Sequence, residues 1–342
     1  MFDWLFYLTF LLISVLVVFY LERKMSAFIQ DRMGPMVVGK FGLLQPFADL
    51  LKLLQKEQIV NIKAEKWLFL AVPLLLFLVV FMGFSILPVS NLPAPAQVST
   101  GVLLIVGLLS LDVLGILMAG WASGSKFSVL GAMRAIGQIV SYEVPISFIV
   151  LTCGFYYGTA HPAQMVAMQG ATATPAWLMN LGVSGGIFSW GIFQFPVFIP
   201  LFICFFIASL AESNRAPFDL PEGESEIIGG FHTEYSGFRW ALFFLSEYAM
   251  MLVLSLLSVH FFLGGWHSPF PSFGAVHQLI PPHPFFGLIW VWLKAMALLV
   301  VMIWVRWTFP RLRIDQVMFI CWKVLLPLSI LIFVFTVFWK AL

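Results

Sequence analysis

Hydrophobic positions in this chain come in long unbroken runs. Eight stretches reach roughly the 20 mainly apolar residues that a membrane-spanning helix needs. They are Trp4–Tyr20, Trp67–Pro88, Ser99–Ala122, a segment reaching Ala160, Ile187–Ala211, Trp240–Leu263, Pro284–Val305 and Val317–Trp339. The first run ends in Glu22-Arg23-Lys24, with no basic residue before it and no small-residue cleavage site after it. It reads as a retained span and not as a signal peptide. One segment has a different period. In Pro46–Glu57, Phe47, Leu50, Leu51 and Leu54 recur at i, i+3, i+4 and i+7, with Asp49, Lys52 and Lys56 opposite them. Pro46 suits the first turn of such a helix. The expected fold is all-α: a polytopic membrane protein with about eight transmembrane helices plus an amphipathic interfacial helix. Residues 1–342 form one integral membrane domain, carrying two polar segments at 21–66 and 212–239.

Composition agrees and narrows the classes. Of 342 residues, 61% are hydrophobic and 10% charged, against about 45–50% and about 25% in soluble domains. The mean hydropathy is +0.99. A water-soluble enzyme, a disordered chain and a fibrous chain are excluded. Lys and Arg count eight, two, two and three in the first, third, fifth and seventh connections, and none in 89–98, 161–186 or 264–283. This asymmetry puts the odd connections inside and both termini outside. The net charge of +2 is absorbed by topology and does not point to nucleic acid. Cys153, Cys204 and Cys321 fall in apolar runs without a Cys-x-x-Cys pair, so neither a disulfide framework nor an iron–sulfur ligand set is expected. The sequence has no Gly-x-Gly-x-x-Gly, P-loop or His-Glu-x-x-His pattern. No nucleotide, flavin or metal site is expected on this chain, and any redox cofactor belongs to a partner.

The candidate chemistry is acidic. The segment 212–239 holds six carboxylates and two arginines on the side where basic residues normally dominate. A solvated docking loop is one reading. The interleaved Phe218, Leu220, Ile227, Ile228 and Phe231 suggest instead a folded segment at the membrane edge. The amphipathic helix is either a plain interfacial element or the lip of a pocket for an amphiphilic ligand. Inside the runs lie Asp112, Glu143, Glu247 and Lys294. An ionisable group there costs about 2.5–3.5 kcal/mol or more, so each is a functional candidate. A static ion pair with Lys294 is one alternative. One lysine cannot neutralise three acids, and neighbouring buried carboxylates titrate together as a proton relay requires.

Five groups of residues resemble one known family. They are Glu22-Arg-Lys with Gln30-Asp-Arg-Met-Gly-Pro and Gly42-Leu-Leu-Gln-Pro-Phe-Ala-Asp49; Gly120-Trp-Ala-Ser-Gly-Ser-Lys126; Arg134-Ala with Ser141-Tyr-Glu143; Ala211–Glu226; and Arg306 with Pro310-Arg311 and Asp315-Gln316. Together they look like the quinone-chamber membrane subunit of respiratory complex I, NADH:quinone oxidoreductase, which occurs in both bacteria and mitochondria.

The resemblance implies a tilted eight-helix core that docks the peripheral arm, adjoins other membrane-arm subunits and walls a quinone tunnel in a bacterial inner membrane. It implies a proton route through Glu143, Glu212, Asp219, Glu222, Glu224, Glu226 and Glu247, with Lys294 a weaker member. It places Arg23, Arg32, Asp49, Arg215 and Phe231 around the chamber. Quinone is the substrate. FMN and iron–sulfur clusters would sit on partner subunits, with no catalytic residue and no metal on this chain. The corresponding subunit of a complex fed by ferredoxin is an alternative, and a stand-alone ion or solute carrier is a second, although no inverted repeat is visible. Asp112 matches no family motif, and the long connection 161–186 reads as outer surface.

Overall fold

The computed structural model describes residues 2–170, 185–221, 223, 228–270 and 284–341. These form helices α1 (Phe2–Ile29), α2 (Gln45–Gln55), α3 (Lys66–Ile86), α4 (Gly101–Ala122), α5 (Lys126–Tyr157), α6 (Pro162–Ala167), α7 (Gly191–Gln194), α8 (Phe198–Glu212), α9 (Gly237–Phe262), α10 (Pro284–Thr308) and α11 (Ile314–Ala341). Seven of them, α1, α3, α4, α5, α9, α10 and α11, are long and apolar enough to cross a membrane. The chain is an all-helical, integral membrane protein.

The fifth apolar run, Ile187–Ala211, is not one long helix. Phe195 is extended (φ −135°, ψ 115°) between α7 and α8, as expected of a residue preceding a proline, here Pro196. The 15 residues of α8 therefore span only about 22 Å. Conversely, α1 continues past Tyr20 to Ile29, because no Gly or Pro interrupts the chain before Gly34-Pro35. Glu22 and Arg23 thus sit on successive positions of one helix, point in different directions and serve different neighbours.

Helix α9 is the axis of the bundle: every side chain from Tyr248 to Phe262 is buried, as a helix apolar on all sides requires. Glycines allow the tightest approaches. A Cβ on Gly115 of α4 would lie 2.3 Å from Leu76 of α3, and one on Gly131 of α5 would lie 2.6 Å from the Gly230 Cα. The latter contact seats the turn that carries Phe231 and His232. In α11 a wide turn at Ile320–Leu325 precedes Pro327, which lacks an N–H and would clash in a regular turn. That turn is tied to α5 by Tyr142 Oη donating to the Val317 carbonyl (2.9 Å) and Cys321 Sγ to that of Ser141 (3.0 Å).

The odd-numbered connections meet at one end of the bundle. Ile59 N donates to Ser236 Oγ (3.1 Å), Glu65 N to the Ala122 carbonyl (3.0 Å) and Leu312 N to that of Pro217 (3.0 Å). The even-numbered ones meet at the other: Val102 N donates to Ala160 O and Ile187 N to Pro269 O, both at 3.1 Å.

Candidate functional site: an apolar pocket, a charge network and a carboxylate cavity

Helix α2 lies across α1 and the start of α9 and closes an apolar pocket of about 80 Å³. Val15, Leu16 and Phe19 of α1, Pro46, Leu50 and Leu53 of α2, and Phe238, Trp240 and Phe244 line it. The face of α2 that meets the bundle differs from the expected stripe. Leu50 belongs to it, whereas Phe47, Leu51 and Leu54 point outward and are exposed, an apolar face suited to lipid. Asp49, expected opposite, lines the pocket and pairs with Arg23, whose guanidinium lies 5.1 Å from the Phe19 ring centroid. Gln45 Nε2 holds the other Asp49 oxygen at 3.0 Å. Arg32 stands apart, exposed, with its Nε on Gln30 Oε1 at 2.7 Å.

Behind the pocket, Phe19 and Tyr248 approach to 4.9 Å between ring centroids, and Tyr248 opens a charge network. Glu22, 7% exposed, accepts from Tyr248 Oη and from Arg306 of α10. Arg215 bridges Glu22 (3.7 Å) and Glu247 (3.6 Å), with its guanidinium 4.2 Å over the Tyr248 ring. Glu247 also faces His232 Nε2 at 3.1 Å. Two carboxylates and two arginines thus balance each other across α1, α9, α10 and the segment after α8. At the network's edge Asp219 pairs with Arg311 at 2.9 Å.

Glu247 has a second environment. With Asp112 of α4, Glu212, Ser213, Asn214, Ser246, Phe231 and Phe243 it lines a cavity of about 20 Å³. That is room for one water. Glu212, 2% exposed, has both carboxylate oxygens buried and, among the described residues, no hydrogen-bond partner for either. Such a group costs about 1–3 kcal/mol or more when left unpaired. On α5, Glu143 accepts from Ser110 Oγ. Gln138 Nε2 donates to the Ala211 carbonyl at 2.7 Å, which fixes the end of α8 against α5.

The structure therefore brings together Glu22, Arg215 and Glu247, and separately Asp112, Glu212, Glu247 and Phe231. Phe231, expected in the chamber, is buried and walls the carboxylate cavity. Glu222, Glu224 and Glu226 lie outside the described residues. Lys294 sits at the opposite end of α9. Its Nζ donates to the carbonyls of Leu263 (2.7 Å), Gly265 (2.9 Å) and His267 (2.7 Å), 4.3 Å from the Trp190 ring centroid. Among the described residues it has no carboxylate partner. Nearby, His267 Nε2 meets the Val166 carbonyl at 3.0 Å, and burial pulls the imidazole below its ordinary pKa. Sequence reasoning missed Glu22, Tyr248, His232, Ser110 and Arg306 as site members. Glu22 and Arg306 were readable as parts of the matching motifs, without a role assigned to either.

The fold and these groups define a polytopic membrane protein with ionisable side chains threaded from an apolar surface pocket into its interior. The pattern of the NADH dehydrogenase family matches residues 2–337. A Cytophaga hutchinsonii protein, the second H-type chain of an NADH-quinone oxidoreductase, is 43% identical over 99% of this chain and 98% of its own length. The H-type chains of the NADH-quinone oxidoreductases of Chlorobaculum parvum and Chlorobaculum tepidum are each 45% identical over 94% of this chain and 86% of their own. The chain belongs to the NADH dehydrogenase family, among the H-type membrane components of complex I.

Proposed function

We propose that this chain walls the quinone site of a proton-pumping NADH:quinone oxidoreductase and links quinone reduction to proton movement through its buried carboxylates. The apolar pocket under α2 suits an isoprenoid tail, with Arg23 and Asp49 at its lip; Arg32 is added to the chamber by the resemblance of its motif. Arg215 and its partners couple that region to Glu247. Asp219, Glu212 and Glu143 are members of the route, and Glu222, Glu224 and Glu226 are added to it by the resemblance of their motif. The odd connections face the cytoplasm and both termini the outside of a bacterial inner membrane. Electrons arrive through FMN and iron–sulfur clusters on partner subunits of the peripheral arm.

One observation carries the reading above others: the Glu212 carboxylate is buried, has no partner among the described residues and adjoins a water-sized space shared with Glu247. A purely structural carboxylate at this depth would be held by a cation or donors, as Glu22 is. An unpaired one can take and release a proton. Lys294 is the least supported member of the route. Its three carbonyl acceptors favour a role as cap of α9.

The chamber half of the proposal is tested by steady-state quinone reduction. In purified complex, Asp49→Ala should raise the apparent KM for a short-chain quinone, while NADH oxidation by an artificial acceptor stays intact. An unchanged KM and rate in both Asp49→Ala and Arg23→Ala would remove the pocket from the quinone path.

A further inference from the structure

We propose that Asp112 is a further proton carrier on the cavity that Glu247 and Glu212 share; this rests on the function proposed above. Asp112 lies eleven residues into the 22 of α4, about 16 Å from either end. No motif of the resemblance covers it, yet its side chain lines the same cavity as Glu212 and Glu247. Asp112 therefore shares one water-sized space with both of these carboxylates.

The groups facing Asp112 come from several elements. Helix α9 contributes Glu247 and Ser246, the end of α8 contributes Glu212, Ser213 and Asn214, and α3 contributes only Leu76. Among the described residues no cation or donor holds Asp112, whereas Arg215 and His232 hold Glu247. A mid-membrane carboxylate without a partner costs about 2.5–3.5 kcal/mol, and an apolar residue of similar size would avoid that. Two residues earlier on α4, Ser110 holds Glu143, so one helix presents groups to both ends of the route.

In the transfer, the O–H bond of one carboxyl breaks as the cavity water accepts its proton. The same water gives a proton to the next carboxylate, where a new O–H bond forms. Each transfer conserves atoms and charge and needs no oxidant or reductant. The three carboxyls on the cavity, those of Glu247, Asp112 and Glu212, exchange protons through this water in either direction.

The test uses the whole purified complex in proteoliposomes, with Asp112→Asn, Asp112→Glu and Glu212→Gln. Assembled complex is measured by NADH oxidation with an artificial acceptor. Asn keeps the shape of Asp112 and removes its proton. Asp112→Asn should lower proton pumping by roughly tenfold or more, below the 10²–10⁴-fold typical of a lost acid–base group because water bridges part of the gap. Asp112→Glu should restore pumping and shift a carboxyl band in the infrared difference spectrum of turnover. A merely structural Asp112 would show neither the restoration nor the shift. Normal pumping in Asp112→Asn with loss in Glu212→Gln overturns the inference and leaves the route standing. Normal pumping in both overturns the route as well. If Asp112→Asn does not assemble, the band shift in Asp112→Glu decides, and its absence counts against Asp112.

Discussion

Replacing Lys294 by Met separates a structural cation from a route member. The ammonium caps the end of α9 through the carbonyls of Leu263, Gly265 and His267 at 2.7–2.9 Å, where a helix favours positive charge. Trp190 adds a ring face at 4.3 Å, worth about 0.5–2 kcal/mol. Met fills similar volume and leaves three buried carbonyls without their donor. Each unsatisfied group costs about 1–3 kcal/mol, and part is recovered by local rearrangement and by removing a desolvated charge, so a net loss of about 3–4 kcal/mol is expected. The loss should be local. The amides of Gly264, Gly265 and His267 are bonded within this corner, to Gln169 Oε1, Val259 O and Gly264 O. Their hydrogen-exchange protection should fall about 10²–10³-fold, at 1.36 kcal/mol per factor of ten. Exchange on the assembled complex reads this directly, alongside the pH profile of turnover. Unchanged protection with a displaced pH profile would refute the cap and return Lys294 to the proton route.

Three further outcomes follow from the same geometry. Glu22→Gln strands Arg306 and leaves Arg215 to Glu247, so it should destabilise by about 3–5 kcal/mol and reduce the yield of assembled complex. Glu212→Gln strands nothing and should leave yield unchanged. Gly131→Ala puts a methyl 2.6 Å from the Gly230 Cα, which should cost about 1–3 kcal/mol and displace Phe231 and His232. Thermal stability would show the cost, and substitution of Gly230 would not repair it. His267 has a folded pKa below its ordinary 6.5, so the unfolded chain binds more protons on the acid side. Stability is therefore complete above pH 6.5 and is lost as pH falls below that toward the lowered value. Melting of the complex between pH 7 and 5 should be less pH-dependent in His267→Gln.

What the sequence revealed and what it concealed have distinct physical causes. Span positions were legible because about 20 apolar residues in a row have few other uses. The break at Phe195-Pro196 was hidden because the residues on both sides are equally apolar. The amphipathic helix was legible from its period, but the face it turns to the bundle was not. Asp49 faces inward because Arg23, on the unexpected extension of α1, waits there for it. The acids were found as costly residues in apolar runs. Their pairing could not be read from one dimension: Glu22 and Arg306 meet across 284 positions of sequence. Asp112 had no motif, and only the packing of both α4 and α9 on α3 brings it to the cavity that Glu247 lines.

The most direct measurement is the initial rate of proton pumping, with the rate of quinone reduction beside it, in reconstituted complex carrying Glu212→Gln. The variant keeps the side chain's shape and removes one titratable site from the cavity. Proton transfer through the cavity requires that pumping fall severalfold at unchanged complex content, with quinone reduction slowing in step because the two are coupled. Pumping and turnover equal to those of the unmodified complex would show that protons pass elsewhere and that the buried carboxylates are structural.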